Sequence, residues 1–204
     1  MLYYIIFIVA GYLLGSILFA PIFGYLLKEK DITSGTKDHN PGTANAFMQG
    51  GILCGILTLL GDLGKGFLPV FLCLHFADKE ISSVGLALVM LAPVLGHTFP
   101  IYHKFHGGKG IATTFGCLLG YAPNLIPALI LAIFFILFSL VIRITPHFHR
   151  TIGTYICATG IFFVWSDTLG QKLGFLLITV VVCIRMHLSK EEREECKVNL
   201  LWMH

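Results

Sequence analysis

Residues 125–142 read Leu-Ile-Pro-Ala-Leu-Ile-Leu-Ala-Ile-Phe-Phe-Ile-Leu-Phe-Ser-Leu-Val-Ile, with no charge and one hydroxyl, Ser139. The run is continuous and lacks the period-two alternation of a barrel strand, so it reads as a membrane helix. It is not alone. Comparable runs occupy about residues 3–27, 46–77, 83–101, 111–122, 151–165 and 169–186. Over all 204 residues, 56% are hydrophobic and only 12% charged, with mean hydropathy +0.82. Soluble domains carry roughly 25% charge, so the solvent implied here is a bilayer. Lipid leaves backbone groups no water to bond, which admits only helices or closed barrels.

The expectation is therefore an all-α, polytopic integral membrane bundle of about seven transmembrane helices, a single domain over residues 1–204. The run over 46–77 exceeds the roughly 20 residues of a straight crossing. Its polar centre, Gly61-Asp62-Leu63-Gly64-Lys65-Gly66, is the expected place for a bend. Seven crossings place the termini on opposite sides, and charge chooses the direction. One set of loops carries Lys28, Lys30, Lys37, Lys104, Lys109, Arg143, Arg150, Arg185, Lys190, Arg193 and Lys197; the other carries Lys79 and Lys172. The positive-inside rule puts the N-terminus outside and the C-terminus in the cytoplasm. Merging short runs would give five spans, but would place Arg143, His147, His149 and Arg150 outside against that rule.

Several classes of function recede. The net charge of +3 and the lack of a basic run give no nucleic-acid footprint. The six cysteines form no C-x-x-C pair and read as small core hydrophobes. His147 and His149, two apart, have no convincing third ligand, so no metal or cofactor is expected.

The polar residues gather in a few places. After the first run comes Asp31 to Phe47, with Asn40-Pro41-Gly42-Thr43-Ala44-Asn45 leading into a helix near Thr43. Converging backbone N–H groups at such a start suit a phosphate, but taken alone the stretch reads more readily as an ordinary loop capped by Asn40 or Thr43. The second place joins Gly96-His97-Thr98-Phe99-Pro100 to Phe105-His106-Gly107-Gly108-Lys109-Gly110-Ile111-Ala112-Thr113. Open backbone, a point charge and a helix start are the parts of a phosphate cradle, or of a tight turn with a snorkelling lysine. This is not a P-loop. By itself, His97 is more often a structural histidine. A third basic group holds Arg143, His147, His149 and Arg150 with Arg185, His187 and Arg193, and also reads as headgroup anchors. Within the apolar run, Asp62 and Lys65 either neutralise each other or line a polar cavity.

Together these motifs resemble one family, the bacterial acyl-phosphate:glycerol-3-phosphate acyltransferases. The resemblance rests on Gly15-Ser16-Ile17, Asp31-Ile32, Asn40-x-Gly42-x-x-Asn45, Asp62-x-x-Lys65-Gly66, Gly96-His97-x-Phe99-Pro100 and Phe105-x-Gly107-Gly108-Lys109-Gly110-x-Ala112-Thr113, and spans nearly the whole chain. It implies a seven-helix enzyme of the inner (plasma) membrane. Such an enzyme moves a fatty acyl group from acyl phosphate to glycerol 3-phosphate on the cytoplasmic side, giving lysophosphatidic acid for phospholipid synthesis. It implies Lys109, His187 and His97 as catalytic residues. Asn40, Gly42, Thr43, Asn45, Gly107, Gly108, Gly110, Thr113, Arg143 and Arg193 would hold substrate and phosphate, while Asp62 and Lys65 line or support the cavity. The chain departs from the family pattern at Lys37-Asp38-His39, at Gly42-Thr43-Ala44-Asn45, at Met48 where an arginine is usual, at Thr145-Pro146-His147 and at Lys190. A second reading of the same residues is a non-catalytic paralogue or a permease that binds a phosphorylated or lipid-like ligand.

Overall fold

The computed structural model describes residues 2–28, 31–33, 36, 38–76, 82–189 and 194–201. Within them the order is α1 (Leu2–Gly15), α2 (Phe19–Lys28), α3 (Thr43–Phe76), α4 (Ser83–Thr98), a single 3₁₀ turn (Ile101–His103) and α5 (Ile111–Leu119). Then follow α6 (Ile126–Ile136), extended by a π-turn over Leu137–Val141, β1 (Ile142–Thr145), α7 (His147–Trp165), α8 (Leu169–Leu188) and β2 (Lys197–Leu200). Four stretches are long and apolar enough to cross a membrane: Tyr3–Lys28, Thr43–Phe76, Ser83–His103 and Leu169–Leu188; Ile126–Val141 is apolar but shorter. The protein is a polytopic helical membrane protein.

Three expectations need correction. The long run bends at Gly51, not within Gly61–Gly66. Gly51 adopts φ 83°, ψ −178°, a conformation that glycine alone reaches without a steric penalty. The Gly61–Gly66 stretch stays helical because its glycines admit neighbours: Gly61 lies under the Phe19 ring and Gly66 under the Thr113 carbonyl of α5. The first run is also broken, at Ser16-Ile17-Leu18 between α1 and α2. Finally, the all-helical expectation omits a two-stranded antiparallel ribbon, β1 with β2, pairing Arg143 with Asn199 and Ile144 with Val198. β-branched Ile142, Ile144 and Thr145 favour the extended chain, and Pro146 bars Thr145 from helical backbone.

Close contacts fix the helix directions. Tyr4 of α1 packs at Gly85, and Tyr12 at Gly96, so α1 and α4 run side by side in one direction. Tyr3 donates to the Cys73 carbonyl at 2.9 Å, so α3 runs the opposite way. α8 follows α4, with Gly170 at Ser83 and Gly174 at Met90. α7 opposes α8, with Thr159 and Thr179 hydroxyls 2.8 Å apart and the Phe148 and His187 rings 5.1 Å apart. α6 opposes α7, bringing Phe135 to Tyr155 and Phe138 to Gly153. α5 runs with α3, Gly116 at Leu63 and Gly120 at Val70. It holds only 9 residues, about 14 Å of helix.

One end of the bundle therefore collects the close of α2, α4, α6 and α8 and the start of α3, α5 and α7. The buried core lies between them, around Val89, Met90, Val94, Phe162, Phe175, Ile178 and Val182. Outward faces stay apolar: Leu129, Ile133, Ile136 and Leu140 follow one another at helical spacing on α6 and are all exposed. Such a stripe is tolerable against lipid and costly against water.

Candidate active site

At that end a cleft of about 910 Å³ opens between the α2–α3 loop and the first turns of α5 and α7. Its polar lining includes Asp38, Asn40, Thr43, Asn45, Asp62, His97, Lys109, His147 and Arg150, while Phe47, Met48, Leu59, Ile111 and Phe115 give it an apolar side.

The deepest part is a buried cluster of charge. Lys65 forms an ion pair with Asp62 at 2.8 Å, donates to the Ile17 carbonyl at 2.7 Å and meets His97 Nδ1 at 2.8 Å. An ammonium has three N–H bonds, and here each has a partner. His97 therefore accepts at Nδ1 and carries its proton on Nε2. The Ile17 carbonyl is free for Lys65 because the first run breaks there, which gives the Gly15-Ser16-Ile17 motif its role. Thr43 reaches down to Asp62 Oδ2 at 3.4 Å, tying the first turn of α3 to the cluster.

Nearer the mouth, Lys109 pairs with Asp38 at 2.9 Å. Burial tends to raise the Asp38 carboxyl pKa, but hydrogen bonding from Asn45 and the Lys109 charge outweigh it and hold the group below its usual range. Asn45 organises the loop: the two hydrogens of its Nδ2 are shared among Asp38 Oδ1 at 3.0 Å, the Asn40 carbonyl at 2.8 Å and Thr36 Oγ1 at 3.2 Å. Asn40 Oδ1 is buried and has no hydrogen-bond partner among the described residues.

The glycines beside Lys109 act differently from a bare cradle. Gly108 N–H donates to the His97 carbonyl at 3.0 Å, and any side chain at Gly108 would enter the His97 ring. Arg185 of α8 donates to the carbonyls of both Gly107 and Gly108. The expectation that Gly108 lets substrate approach the backbone gives way to a packing reason. The two glycines let the loop lie flat on His97, Arg185 clamps it, and Lys109 projects into the cleft. Gly110, at φ 84°, then turns the chain into α5.

The structure thus brings together Lys109, His97, Asn40, Gly42, Thr43, Asn45, Gly110 and Asp62 around one space, with Lys65 directly behind. Gly107 and Gly108 support it from beneath, and Thr113 is buried with its carbonyl against Gly66. Two expected residues stand elsewhere. Arg143 is exposed on β1, where the strand turns it away from the cleft. His187 lines a separate shallow depression with Thr179 and Cys183, its ring edge-on to Phe148. Arg193 and Lys190 lie outside the described residues, as do Lys30, Lys37 and Lys79. Among the described residues no group of His, Cys, Asp or Glu is disposed to hold a metal ion. In the sequence Arg150, His147 and Arg185 read only as anchoring charges, since only the fold shows which of them turn inward.

A helical bundle in lipid, with a cleft that is cationic at its mouth and apolar along one side, defines a membrane protein for a ligand with an anionic head and a hydrocarbon tail. The chain belongs to the glycerol-3-phosphate acyltransferase family, which it matches over residues 5–194. It is 40% identical over 172 residues to the glycerol-3-phosphate acyltransferase of Cupriavidus necator, covering 79% of this chain and 85% of that one. It is 39% identical over 193 residues to that of Ralstonia nicotianae, covering 91% and 89%. Its fold resembles the crystal structure of PlsY (YgiH), an integral membrane glycerol 3-phosphate acyltransferase. Against the glycerol 3-phosphate form the TM-score is 0.76 at 26% identity, with 91% of this chain and 88% of that chain covered. Against the lysophosphatidic acid form it is 0.73 at 27% identity, covering 89% and 87%.

Proposed function

We propose that this chain transfers a fatty acyl group from acyl phosphate to a hydroxyl of glycerol 3-phosphate, releasing lysophosphatidic acid and inorganic phosphate. The observation that carries the reading is one cleft with Lys109 at its mouth and an apolar side at Phe47, Met48, Leu59, Ile111 and Phe115. The tail lies along the apolar side and enters from lipid, while the phosphates occupy the basic mouth. The glycerol hydroxyl oxygen attacks the acyl carbonyl, the bond from carbonyl carbon to phosphate oxygen breaks, and the departing phosphate takes up the hydroxyl proton. Acyl phosphate is already activated, so the chain needs no cofactor and no covalent nucleophile. Its contribution is orientation and stabilisation of charge on the leaving phosphate by Lys109. Asn40 Oδ1, without a hydrogen-bond partner among the described residues, is an acceptor for a substrate hydroxyl. His97, covered by Gly108 at Nε2 and held by Lys65 at Nδ1, supports the loop that carries Lys109 rather than acting as a base.

The reading includes seven passes through the inner membrane with the cleft on the cytoplasmic side. It is supported by the alternating helix directions and by Lys28, Lys104, Lys109, Arg143, Arg150, Arg185 and Lys197 gathering at the cleft end. The short α5 completes the fourth pass because its approach, Gly107–Gly110, lies beside a polar cleft rather than lipid. With native cysteines replaced, a cysteine at Lys172 should react with an impermeant thiol reagent in intact cells and one at Lys104 should not; the reverse pattern overturns the orientation.

A second reading, a binder without turnover, is favoured by Asp38 occupying Lys109. Purified protein in lipid, given palmitoyl phosphate and glycerol 3-phosphate, decides between them. Acyl-glycerol phosphate should form at the rate inorganic phosphate is released. Saturable binding of glycerol 3-phosphate without ester formation would install the second reading.

A further inference from the structure

Arg150 stands in the first turn of α7 and shares the cleft with Lys109. Its guanidinium donates to His147 Nδ1 at 2.8 Å, while its Nε is buried and has no hydrogen-bond partner among the described residues. No carboxylate pairs with Arg150 among the described residues. A buried donor left unpaired costs free energy unless something outside the protein meets it, and a guanidinium at a cleft wall meets an oxyanion best. The α2–α3 loop brings no arginine to this space; the cleft residues early in α3, Met48 among them, are uncharged, and Asp38 adds negative charge. One lysine already engaged by Asp38 is a poor match for a phosphate dianion.

We infer that Arg150 is the second cation of the phosphate site, offering its planar fork opposite Lys109, with His147 as the positioning residue that aims it. This rests on the acyl-transfer reading above for the identity of the phosphate, and on the cleft alone for its existence. Two N–H bonds of one guanidinium match two oxygens of one phosphate, which an ammonium cannot do. His147 suits the aiming role because burial, with Lys109 and Arg150 nearby, pushes its pKa down to about 4. At neutral pH it is an uncharged imidazole that accepts from Arg150. When a phosphate enters, Lys109 exchanges Asp38 for the ligand and Arg150 closes on it from the α7 side.

The test compares the parent with Arg150→Gln, Arg150→Lys and His147→Gln in lipid nanodiscs. It measures KM for glycerol 3-phosphate and for acyl phosphate separately, together with inhibition by inorganic phosphate. Losing a charge-assisted bond should raise one KM about 10- to 150-fold, with kcat changed less, and the substrate affected identifies whose phosphate Arg150 holds. Phosphate inhibition should weaken in step. Arg150→Lys should recover part of the loss, and His147→Gln should raise the same KM only several-fold. A structural role would lower thermal stability and leave both the KM values and phosphate inhibition alone. A folded Arg150→Gln with parental values for both substrates and for phosphate overturns the proposal. Should Arg150→Gln not fold, Arg150→Lys decides: a parental KM for both substrates removes the fork. If the parent shows no acyl transfer, the functional reading fails separately, and the thermal shift produced by inorganic phosphate reports on the site. A shift lost in Arg150→Gln upholds Arg150, and an equal shift in both proteins refutes it.

Discussion

Two ion pairs of almost the same length serve the same cleft in different ways. Lys65–Asp62 measures 2.8 Å with side chains 2% and 1% exposed; Lys109–Asp38 measures 2.9 Å with side chains 11% and 16% exposed. Contact length does not separate them, but access does. Lys65 spends all three N–H bonds inside the bundle, on Asp62, Ile17 and His97, and no ligand can compete for it. Lys109 faces open volume, where a ligand can replace Asp38. The floor pair holds the α1–α2 break, α3 and α4 in register, while the mouth pair is exchangeable. In both places the charge is local, but only at the mouth is it available.

The largest effect should come from breaking the floor pair. Removing one member of a buried pair leaves an uncompensated charge, costing about 3–5 kcal/mol. Lys65→Ala should therefore lower thermal stability in detergent severely and reduce monodisperse protein. The double change Asp62→Leu with Lys65→Met should restore much of that stability, because it removes both charges and keeps the volume. Were Lys65→Ala to melt with the parent, the floor would not be structural and the contrast with Lys109 would collapse.

The mouth should behave the other way round. Lys109→Ala removes a charge-assisted bond to phosphate, a loss of about 10- to 150-fold in turnover at limiting substrate. A partly exposed pair contributes only about 0–1 kcal/mol, so its melting temperature should stay near the parent's. Lys109→Arg should rescue in part, its fork being a different shape from an ammonium. Near-parental turnover in Lys109→Ala would end the cradle reading and bring the non-catalytic one forward.

How far the sequence could take this follows the same division. Long apolar runs announce lipid-facing helices by composition alone, so the helix within residues 125–142 is legible without a structure, but its change to a π-turn at Leu137 and to a strand at Ile142 is not. Glycine-lysine-glycine before a helix likewise marks Lys109 as a candidate, and Asp62 with Lys65 reads as a polar cavity or a neutral pair; in the fold the two are paired, Asp62 lines the cleft and Lys65 stands behind it. What stayed hidden depends on distance along the chain. Lys65 finds the Ile17 carbonyl 48 residues away, and Arg185 clamps Gly107 from 78 residues away. No local pattern marks such a partner. The break at Gly51 escaped for another reason, since many glycines crowd that stretch and only backbone geometry tells which one carries positive φ. Arg143 and Arg150, both basic and near a proline, look alike in sequence, but a strand turns one outward and a helix turns the other in.

The smallest effect is the most discriminating, because it asks whether Asp38 is a stand-in for ligand. Asp38→Asn keeps an oxygen to accept from Asn45 but gives up the charge on Lys109. Exposed pairs of this kind carry about 0.2–1 kcal/mol, so inorganic phosphate and glycerol 3-phosphate should bind about 1.5- to 5-fold more tightly. The pH dependence of melting checks the same point independently. The folded carboxyl of Asp38 lies below its ordinary 3.8; its contribution is present above that value and is lost as pH falls through the folded one. The folded imidazole of His147 lies at about 4 against an ordinary 6.5, so its contribution is lost earlier, from 6.5 down towards 4. Asp38→Asn should therefore leave the decline between pH 6.5 and 4 intact and remove only the further loss below it. His147→Gln should do the opposite, flattening the upper decline and leaving the lower one. If Asp38→Asn instead weakened phosphate binding, Asp38 would be helping to shape the site, and the mouth pair would be as fixed as the floor.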